Sequence, residues 1–283
     1  MSESPFNQFS TNKMYSPNGT KEFLESNSLV AKFAFLLLVI LVFMIVLRLG
    51  ISFMTWVFSP NTNPHLIDGM INANQLLVIP QDPNTKGAIT VYRSVNATDG
   101  IEFTWSVWIY IEDLQYNPGQ FKHIFHKGND SLTNMGLNFP NNAPGLYIAP
   151  YTNELVVMMN SYNEINEDVA IPDIPLNKWI NIILRCQNRT FDVYINGTIA
   201  KSIQLIGVPK QNYGDVYIGL NGGFDGYVSN LWYYNYALGT SAIANLVKNG
   251  PNTRLLNGES ALNLKDPNYL SLKWYIDGTS STF

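Results

Sequence analysis

The sequence contains a single cysteine, Cys186, so no disulfide can close within the chain and any domain must be held by its own apolar core. Charge is scarce as well: Asp, Glu, Lys and Arg together make up 13% of the residues. From Ser59 onward there are 13 basic and 18 acidic residues and no basic run, which argues against nucleic acid as a partner. So little charge also argues against long solvated helices. What the chain has in quantity is Asn, Tyr, Ile, Leu and Val, the residue types of turns and half-buried strands. At 283 residues there is room for one or two domains with a sizeable core.

One stretch stands apart. Between Lys32 and Arg48 every residue is apolar (FAFLLLVILVFMIVL), and an uncharged stretch from Leu49 to Phe58 follows, including Trp56. Apolar on all sides, this segment suits lipid rather than the surface of a β-domain, and it is expected to cross a membrane once. Fifteen residues rise only about 22 Å, short of the roughly 30 Å hydrocarbon layer. One flanking charge must therefore lie near an interface. Either Leu29 to Leu47 spans with Lys32 snorkelling, or Phe33 to about Phe53 spans with Arg48 snorkelling and Trp56 in the aromatic belt. The run begins some thirty residues into the chain and is not followed by a convincing small-x-small cleavage site, unlike a signal peptide. Lys13, Lys21 and Lys32 precede it against Arg48 just after it, which favours a cytoplasmic N-terminus. The missing disulfides pull the other way, toward a domain that matures in a reducing compartment. Orientation stays open on these grounds.

The expected organisation is a polar N-terminal tail over 1–28, a transmembrane helix over 29–58, a linker over 59–64 and a β-domain over 65–283. Within that domain short strand-like runs alternate with turn residues: Gln75–Ile79, Ala88–Val95, Phe103–Ile111, His123–His126, Gly145–Ile148, Leu155–Asn160, Trp179–Cys186, Phe191–Ile195, Thr198–Leu205, Val216–Leu220 and Tyr227–Tyr236. Such spacing predicts a sandwich or jelly roll. In the third run Phe103, Trp105, Val107, Ile109 and Ile111 share one face, while Thr104, Ser106, Trp108 and Tyr110 share the other. In Trp179–Cys186 the even positions alternate likewise, making Cys186 a buried apolar residue rather than a reactive thiol. Asn196-Gly197 predicts a type I′ hairpin turn, whose register places Asp192 opposite Lys201 as an exposed pair. Thr240–Lys248 is the one expected helix of the domain, with Thr240 or Ser241 as N-cap and Gly250-Pro251 as its stop. A final apolar patch, Tyr269–Ile276, is expected to pack back on the sandwich.

Four segments in this order resemble the laminin-G-like branch of the concanavalin A-like jelly rolls. They are Phe103–Ile111 (FTWSVWIYI), His123–Gly128 (HIFHKG), Trp179–Gly197 (WINIILRCQNRTFDVYING) and Val216–Leu238 (VYIGLNGGFDGYVSNLWYYNYAL). The resemblance covers roughly Ser94 to Val247. It implies an all-β fold, a two-sheet antiparallel jelly-roll sandwich, preceded by one transmembrane helix and carrying one short helix near the C-terminus. Ligands in that superfamily lie on the concave face or at a rim. The wider arrangement, with Tyr92-Arg93-Ser94 before Gly100–Trp105 and Tyr269–Trp274 near the end, is similar to membrane-anchored lectin-like proteins of large DNA viruses of algae and protists.

The resemblance directs attention to four kinds of site. The superfamily's β-glucan hydrolases carry Glu-x-Asp-x-x-Glu on one strand, because retaining hydrolysis needs two carboxyls about 5 Å apart. That pattern is missing here, and the nearest acidic clusters, Glu112-Asp113 and Glu164 to Asp168, read as solvated loops. Calcium is the cofactor the resemblance raises, with Asp225 and Asn221 of the loop NGGFDG as its candidates, although the family's metal aspartates have no residue-by-residue match. No other cofactor is expected. His123 and His126 raise zinc as an idea, but their odd separation in a strand predicts opposite faces. Trp108, Tyr110 and Tyr194, alternating with core residues, are the candidates for stacking on sugars or meeting a protein partner. Sequons occur at Asn18, Asn96, Asn129, Asn188 and Asn196, a number that such Asn-, Ser- and Thr-rich composition produces by chance.

The function expected from these readings is non-enzymatic: a membrane-anchored structural or interaction protein. Its lectin-like domain would contact other proteins of a membrane or virion assembly, as a minor capsid or membrane protein linking membrane and capsid. The bilayer is then a partner, glycans are possible partners, and nucleic acid is not. The alternatives are a carbohydrate-binding attachment lectin and a diverged glycoside hydrolase.

Overall fold

The structure, a computed structural model, describes residues 29–59, 61–94, 96–97 and 100–256. The N-terminal tail with Asn18, and the apolar patch Tyr269–Ile276, lie outside the described residues. The chain divides into two compact units at Pro60 and Asn61.

The first unit holds helix α1, Leu29–Val57. Its 29 residues rise about 43 Å, more than the roughly 30 Å of hydrocarbon, because the helix runs on through Arg48 and Trp56. The apolar core between the two charges is therefore embedded in a longer helix that accommodates either frame. It is the one described helix long and apolar enough to cross a membrane, a test that a signal sequence also passes. Lys32, Arg48 and Trp56 all lie on it, and the Trp56 ring sits 6.2 Å from that of Phe53.

The second unit is a sandwich of two antiparallel sheets. The larger takes the order β1-β13-β4-β9-β10-β11, with the two-residue β3 (Asn96–Ala97) paired to β4. Its other strands are β1 (His65–Asn72), β4 (Gly100–Asp113), β9 (Trp179–Gln187), β10 (Thr190–Ile195), β11 (Thr198–Gln204) and β13 (Asp225–Tyr234). The smaller follows the order β2-β12-β5-β6-β7-β8. It consists of β2 (Leu77–Ile79), β5 (Lys122–Gly128), β6 (Gly145–Ile148), β7 (Leu155–Met159), β8 (Glu167–Ile171) and β12 (Asp215–Ile218). One helix follows, α2, Thr240–Asn249.

Period-two alternation builds the core between the sheets. The β4 residues Phe103 to Ile111 of odd number meet Ile180, Ile182, Leu184 and Cys186 of β9 and, from the opposite sheet, Phe125, Leu146, Leu155 and Val216. Trp105 lies at its centre, with ring centroids 5.4 Å from Phe125 and 4.9 Å from Tyr233. Buried aromatic pairs of this kind favour tilted contacts and contribute beyond their area. Cys186 is buried in the same core as a free thiol, and burial pushes its pKa up to about 12.

Several expectations change. No strand forms over 88–94; that segment crosses the sandwich as a strap held mostly by side chains, with one backbone bond from the Ile89 N–H to the Pro80 carbonyl. Strand β1 went unrecognised in the sequence, because Asp68 and Gly69 break its alternation; Gly69 has φ 145°, and the ladder to β13 shifts register there. The Asn196-Gly197 turn forms with φ 51° and 81°, as type I′ demands. Yet the ladder skips from Val193↔Lys201 to Tyr194↔Ile199, so Ala200 bulges. Asp192 consequently faces Ser202, and it is buried rather than exposed, ion-paired to Arg185 at 2.8 Å. Helix α2 starts after Gly239 with no side-chain cap, and it stops at Gly250, whose positive φ of 73° suits glycine and whose N–H donates to the Val247 carbonyl.

Candidate functional site

The outer face of the larger sheet is where the sequence-predicted aromatics fall, and it is less open than strand alternation alone suggests. Thr104, Ser106 and Trp108 of β4 are buried there. Thr104 donates its hydroxyl to the Tyr236 carbonyl and accepts the Leu238 N–H, which draws the segment leading into α2 across the sheet. Helix α2 then lays Ile243 and Leu246 against Ile183, Tyr194 and Leu238. Tyr194 is thus part of a buried cluster and cannot stack on a ligand, contrary to its reading as an exposed candidate. The reason is tertiary, since alternation aims a side chain at a face without saying what covers that face.

Trp108 and Tyr110 take different places on an aromatic row. Tyr110 packs beside Trp179 at 5.5 Å and Tyr227 at 6.4 Å between centroids, half-buried. Trp108 borders a cleft of about 310 Å3 with Trp232, Tyr234 and His65. The Trp232 ring lies flat on His65 at 3.7 Å and nearly parallel to Tyr234 at 6.0 Å. Asn230, Asn249 and Asn252 bring carboxamides to the same cleft. Asn230 donates to the Gly250 carbonyl and Asn252 to the Asp68 carboxylate, so the wall beyond α2 is fixed by hydrogen bonds. Burial, with Tyr236 nearby, raises the Tyr234 hydroxyl to about 12, keeping it a protonated donor at neutral pH. The cleft therefore combines flat apolar rings with amide and hydroxyl groups. Trp232 and Tyr234 were not singled out from the sequence, although their spacing of two within β13 is a legible signal that they share a face; His65 had none, since its strand went unrecognised.

His123 and His126 are brought together, not separated. The β5–β6 ladder skips from His123↔Tyr147 to Phe125↔Leu146, so Ile124 bulges and both imidazoles fall on the outer face of the smaller sheet. Both are fully buried beneath the 129–142 loop, in which Asn138 and Asn142 bond to Tyr147. Among the described residues no three His, Cys, Asp or Glu side chains gather as metal ligands. Asn221 donates its amide to Gln120, and Asp225 lies opposite Asp113 across the β13–β4 ladder.

The acidic cluster also differs from a solvated loop. Glu164 is exposed, but Glu167 opens β8, is buried, and accepts the backbone N–H groups of Ile206 at 2.7 Å and Gly207 at 3.3 Å. A loop with unsatisfied amides needed an acceptor, and this carboxylate supplies it. Of the sequons, Asn96 lies in β3. The Asn129 amide donates to the Phe139 carbonyl, Asn188 is half-buried, and Asn196 is exposed in its turn with its oxygen accepting the Asn181 N–H.

With two sheets, their order and the outer-face cleft described, comparison with known proteins is informative. Residues 83–244 match the model of the concanavalin A-like lectin/glucanases superfamily, laminin-G type, over more than half of the chain. The chain belongs to this family. The laminin-G-like match takes in β3 to β12, β13 and the first turn of α2. No curated protein matches the sequence significantly. Among solved structures, the laminin-G-like domain is similar to the receptor binding domain of botulinum neurotoxin D, at 12% identity and TM-score 0.46, covering 65% of this chain and 43% of that one. It is similar also to the binding domain of botulinum neurotoxin DC in complex with rat synaptotagmin II, at 15% identity and TM-score 0.40, covering 53% of this chain and 36% of that one. The chain thus spans less than half the length of these structures.

Proposed function

We propose that the protein is a non-enzymatic, membrane-anchored interaction protein whose laminin-G-like domain binds glycans in the aromatic cleft on the outer face of its larger sheet. The cleft carries this reading. A pyranose presents a flat C–H face that packs on an indole or phenol ring, and hydroxyls that exchange hydrogen bonds with carboxamides. Trp232 and Tyr234 offer nearly parallel rings 6.0 Å apart, and Asn249 and Asn252 flank them. Its volume of about 310 Å3 suits one or two sugar rings rather than a long chain. The family membership supports a lectin-like role.

The test is a glycan array probed with the full-length protein in detergent. Binding to a restricted set of glycans, lost on Trp232→Ala or Trp108→Ala in folded protein, is the expected result. A blank array sinks the glycan reading. The competing hydrolase reading would replace it if the protein turned over a β-glucan and lost that turnover on changing Glu164 or Glu167.

On this reading α1 is retained as a single-pass anchor, and sodium carbonate extraction with N-terminal sequencing tests it. Recovery in the soluble fraction, or a mature N-terminus beyond Val57, counts against an anchor. The setting we propose is a membrane-bounded virus particle, where the domain would link the membrane to neighbouring capsid or surface components. The resemblance of anchor plus domain supports this, and its test is mass spectrometry of purified particles.

A further inference from the structure

A second cavity, of about 320 Å3, opens between the two sheets and shares no lining residue with the aromatic cleft. Phe103, Trp105 and Tyr233 form its floor, each nearly fully buried in the core. The strap over 88–94 crosses it. In place of a strand ladder, side chains hold that strap: Gln81 accepts the Val91 N–H at 2.7 Å and donates to the Ile89 carbonyl at 2.9 Å, while the Tyr233 hydroxyl donates to the Tyr92 carbonyl at 2.8 Å. At its far end Gln211 accepts the Ser94 N–H at 3.1 Å. One backbone bond, from the Ile89 N–H to the Pro80 carbonyl at 3.0 Å, pins its start, and beyond it the strap is tied by isolated side-chain bonds that open at lower cost than a strand ladder, so the cavity has a route of entry.

Lys127 sets the chemistry of the cavity. It follows Phe125 by two positions on β5, which turns it toward the core rather than to solvent, and only 5% of it is exposed. Its ammonium donates to the carbonyls of Asn212 at 3.0 Å and Gly214 at 2.7 Å. An ammonium has three N–H donors, and among the described residues the third has no acceptor. Among the described residues no carboxylate lies within ion-pair distance of it, and Asp215 acts only from further off. Burial lowers its pKa to about 8, which still leaves it largely cationic at neutral pH. A buried cation without a counter-ion is costly, and an anion entering the cavity would relieve that cost. At the mouth, exposed Arg93 and Asp82 offset each other. The aromatic floor disfavours a wholly polar anion such as phosphate.

We propose that this cavity binds a small amphipathic carboxylate, its ring-sized apolar body lying on Trp105 and Tyr233 beneath the strap and its carboxylate taking the third N–H of Lys127. The test is isothermal titration calorimetry on the full-length protein in nanodiscs, with empty nanodiscs subtracted. The probes are indole-3-acetate and its uncharged counterpart indole-3-ethanol. Saturable binding of indole-3-acetate is expected, with indole-3-ethanol weaker by about tenfold or more, the worth of one charge-assisted hydrogen bond. Lys127→Met should erase the difference between the probes. Tyr213→Ala, at an exposed position of the rim where folding is not at stake, should weaken both severalfold. Equal affinity of the wild type for both probes, no saturable heat up to about 5 mM, or affinities unmoved by both substitutions would overturn the proposal.

Discussion

His123 Nε2 and His126 Nδ1 lie 2.6 Å apart, and the hydrogen bond between them can run in one direction only. His126 Nε2 faces the Asn129 carbonyl at 2.7 Å, so it must carry a proton, and the Leu220 N–H donates to His123 Nδ1 at 3.0 Å, so that nitrogen must be bare. Both rings are then neutral: His123 donates through Nε2 to His126 Nδ1. Tyr147 meets His123 edge-on at 5.3 Å and Tyr217 stacks on His126 at 5.0 Å, which closes the pair off from water.

An added proton has no place in this relay, and pH dependence follows. Burial, with His126 alongside, lowers the His123 pKa well below 6.5, and burial lowers that of His126 to about 4, against the smaller opposing effects of the Asn129 carbonyl and Asp130. Unfolded histidines protonate near 6.5, so below that pH the unfolded chain binds protons that the folded one refuses. The stability contributed by the pair is thus complete above pH 6.5 and falls as pH drops toward 4. Melting temperatures followed by circular dichroism should decline between pH 7 and about 5, above most of the carboxylate range. His126→Gln should flatten that decline while costing about 1–3 kcal/mol at pH 7. An unchanged slope in the variant would show that other groups cause it.

The bulge at Ala200 decides which charge matters in the β10–β11 hairpin. Asp192 pairs with Arg185 at 2.8 Å and accepts the Ser202 hydroxyl at 2.6 Å, and Arg185 in turn donates to the Leu238 carbonyl ahead of α2. Asp192→Ala strands a mostly buried guanidinium and should cost about 3 kcal/mol in urea denaturation. Lys201→Ala, by contrast, should shift stability by about 0.5 kcal/mol or less. Equal effects would point to the unbulged register.

Tyr194 and Trp232 separate packing from recognition. Tyr194→Ala removes a buried ring from beneath α2 and should destabilise by about 3–5 kcal/mol, with any loss of glycan binding tracking loss of fold. Trp232→Ala takes away a half-buried ring of the cleft, so ligand binding should fall while the melting temperature moves far less. The reverse pattern would place recognition under the helix.

Cys186 should be inert in the native protein. With its thiol buried and its pKa pushed up to about 12, almost no thiolate exists at neutral pH. Ellman's reagent should find no reactive thiol until denaturant is added, and then one. Rapid native labelling would mean that the core around it opens.

Much of the sandwich was legible because its signals are local. Alternation in Phe103–Ile111 and Trp179–Cys186 marks core faces wherever the strands end up, Asn196-Gly197 demands its turn, and Gly250 stops its helix. The apolar segment from Lys32 to Arg48 reads directly as a lipid-compatible helix, since fifteen consecutive apolar side chains leave no polar face. Family membership followed from segments kept in order.

The site was less legible, because what covers a face, and where a ladder slips, depend on residues distant in sequence. Single-residue bulges at Ile124 and Ala200 turned two histidines into a pair and moved Asp192 into a buried ion pair. The fold-back of α2 hid Tyr194, and a loop 39 residues downstream claimed Glu167. The sequence by itself determined which residues could be core, turn or long apolar helix, for those properties lie in side-chain chemistry and short-range period. Only the tertiary structure decided that Trp232, Tyr234 and Trp108 share a cleft and that Lys127 faces inward with no counter-ion among the described residues, since packing and register are settled between strands that the chain brings together from far apart.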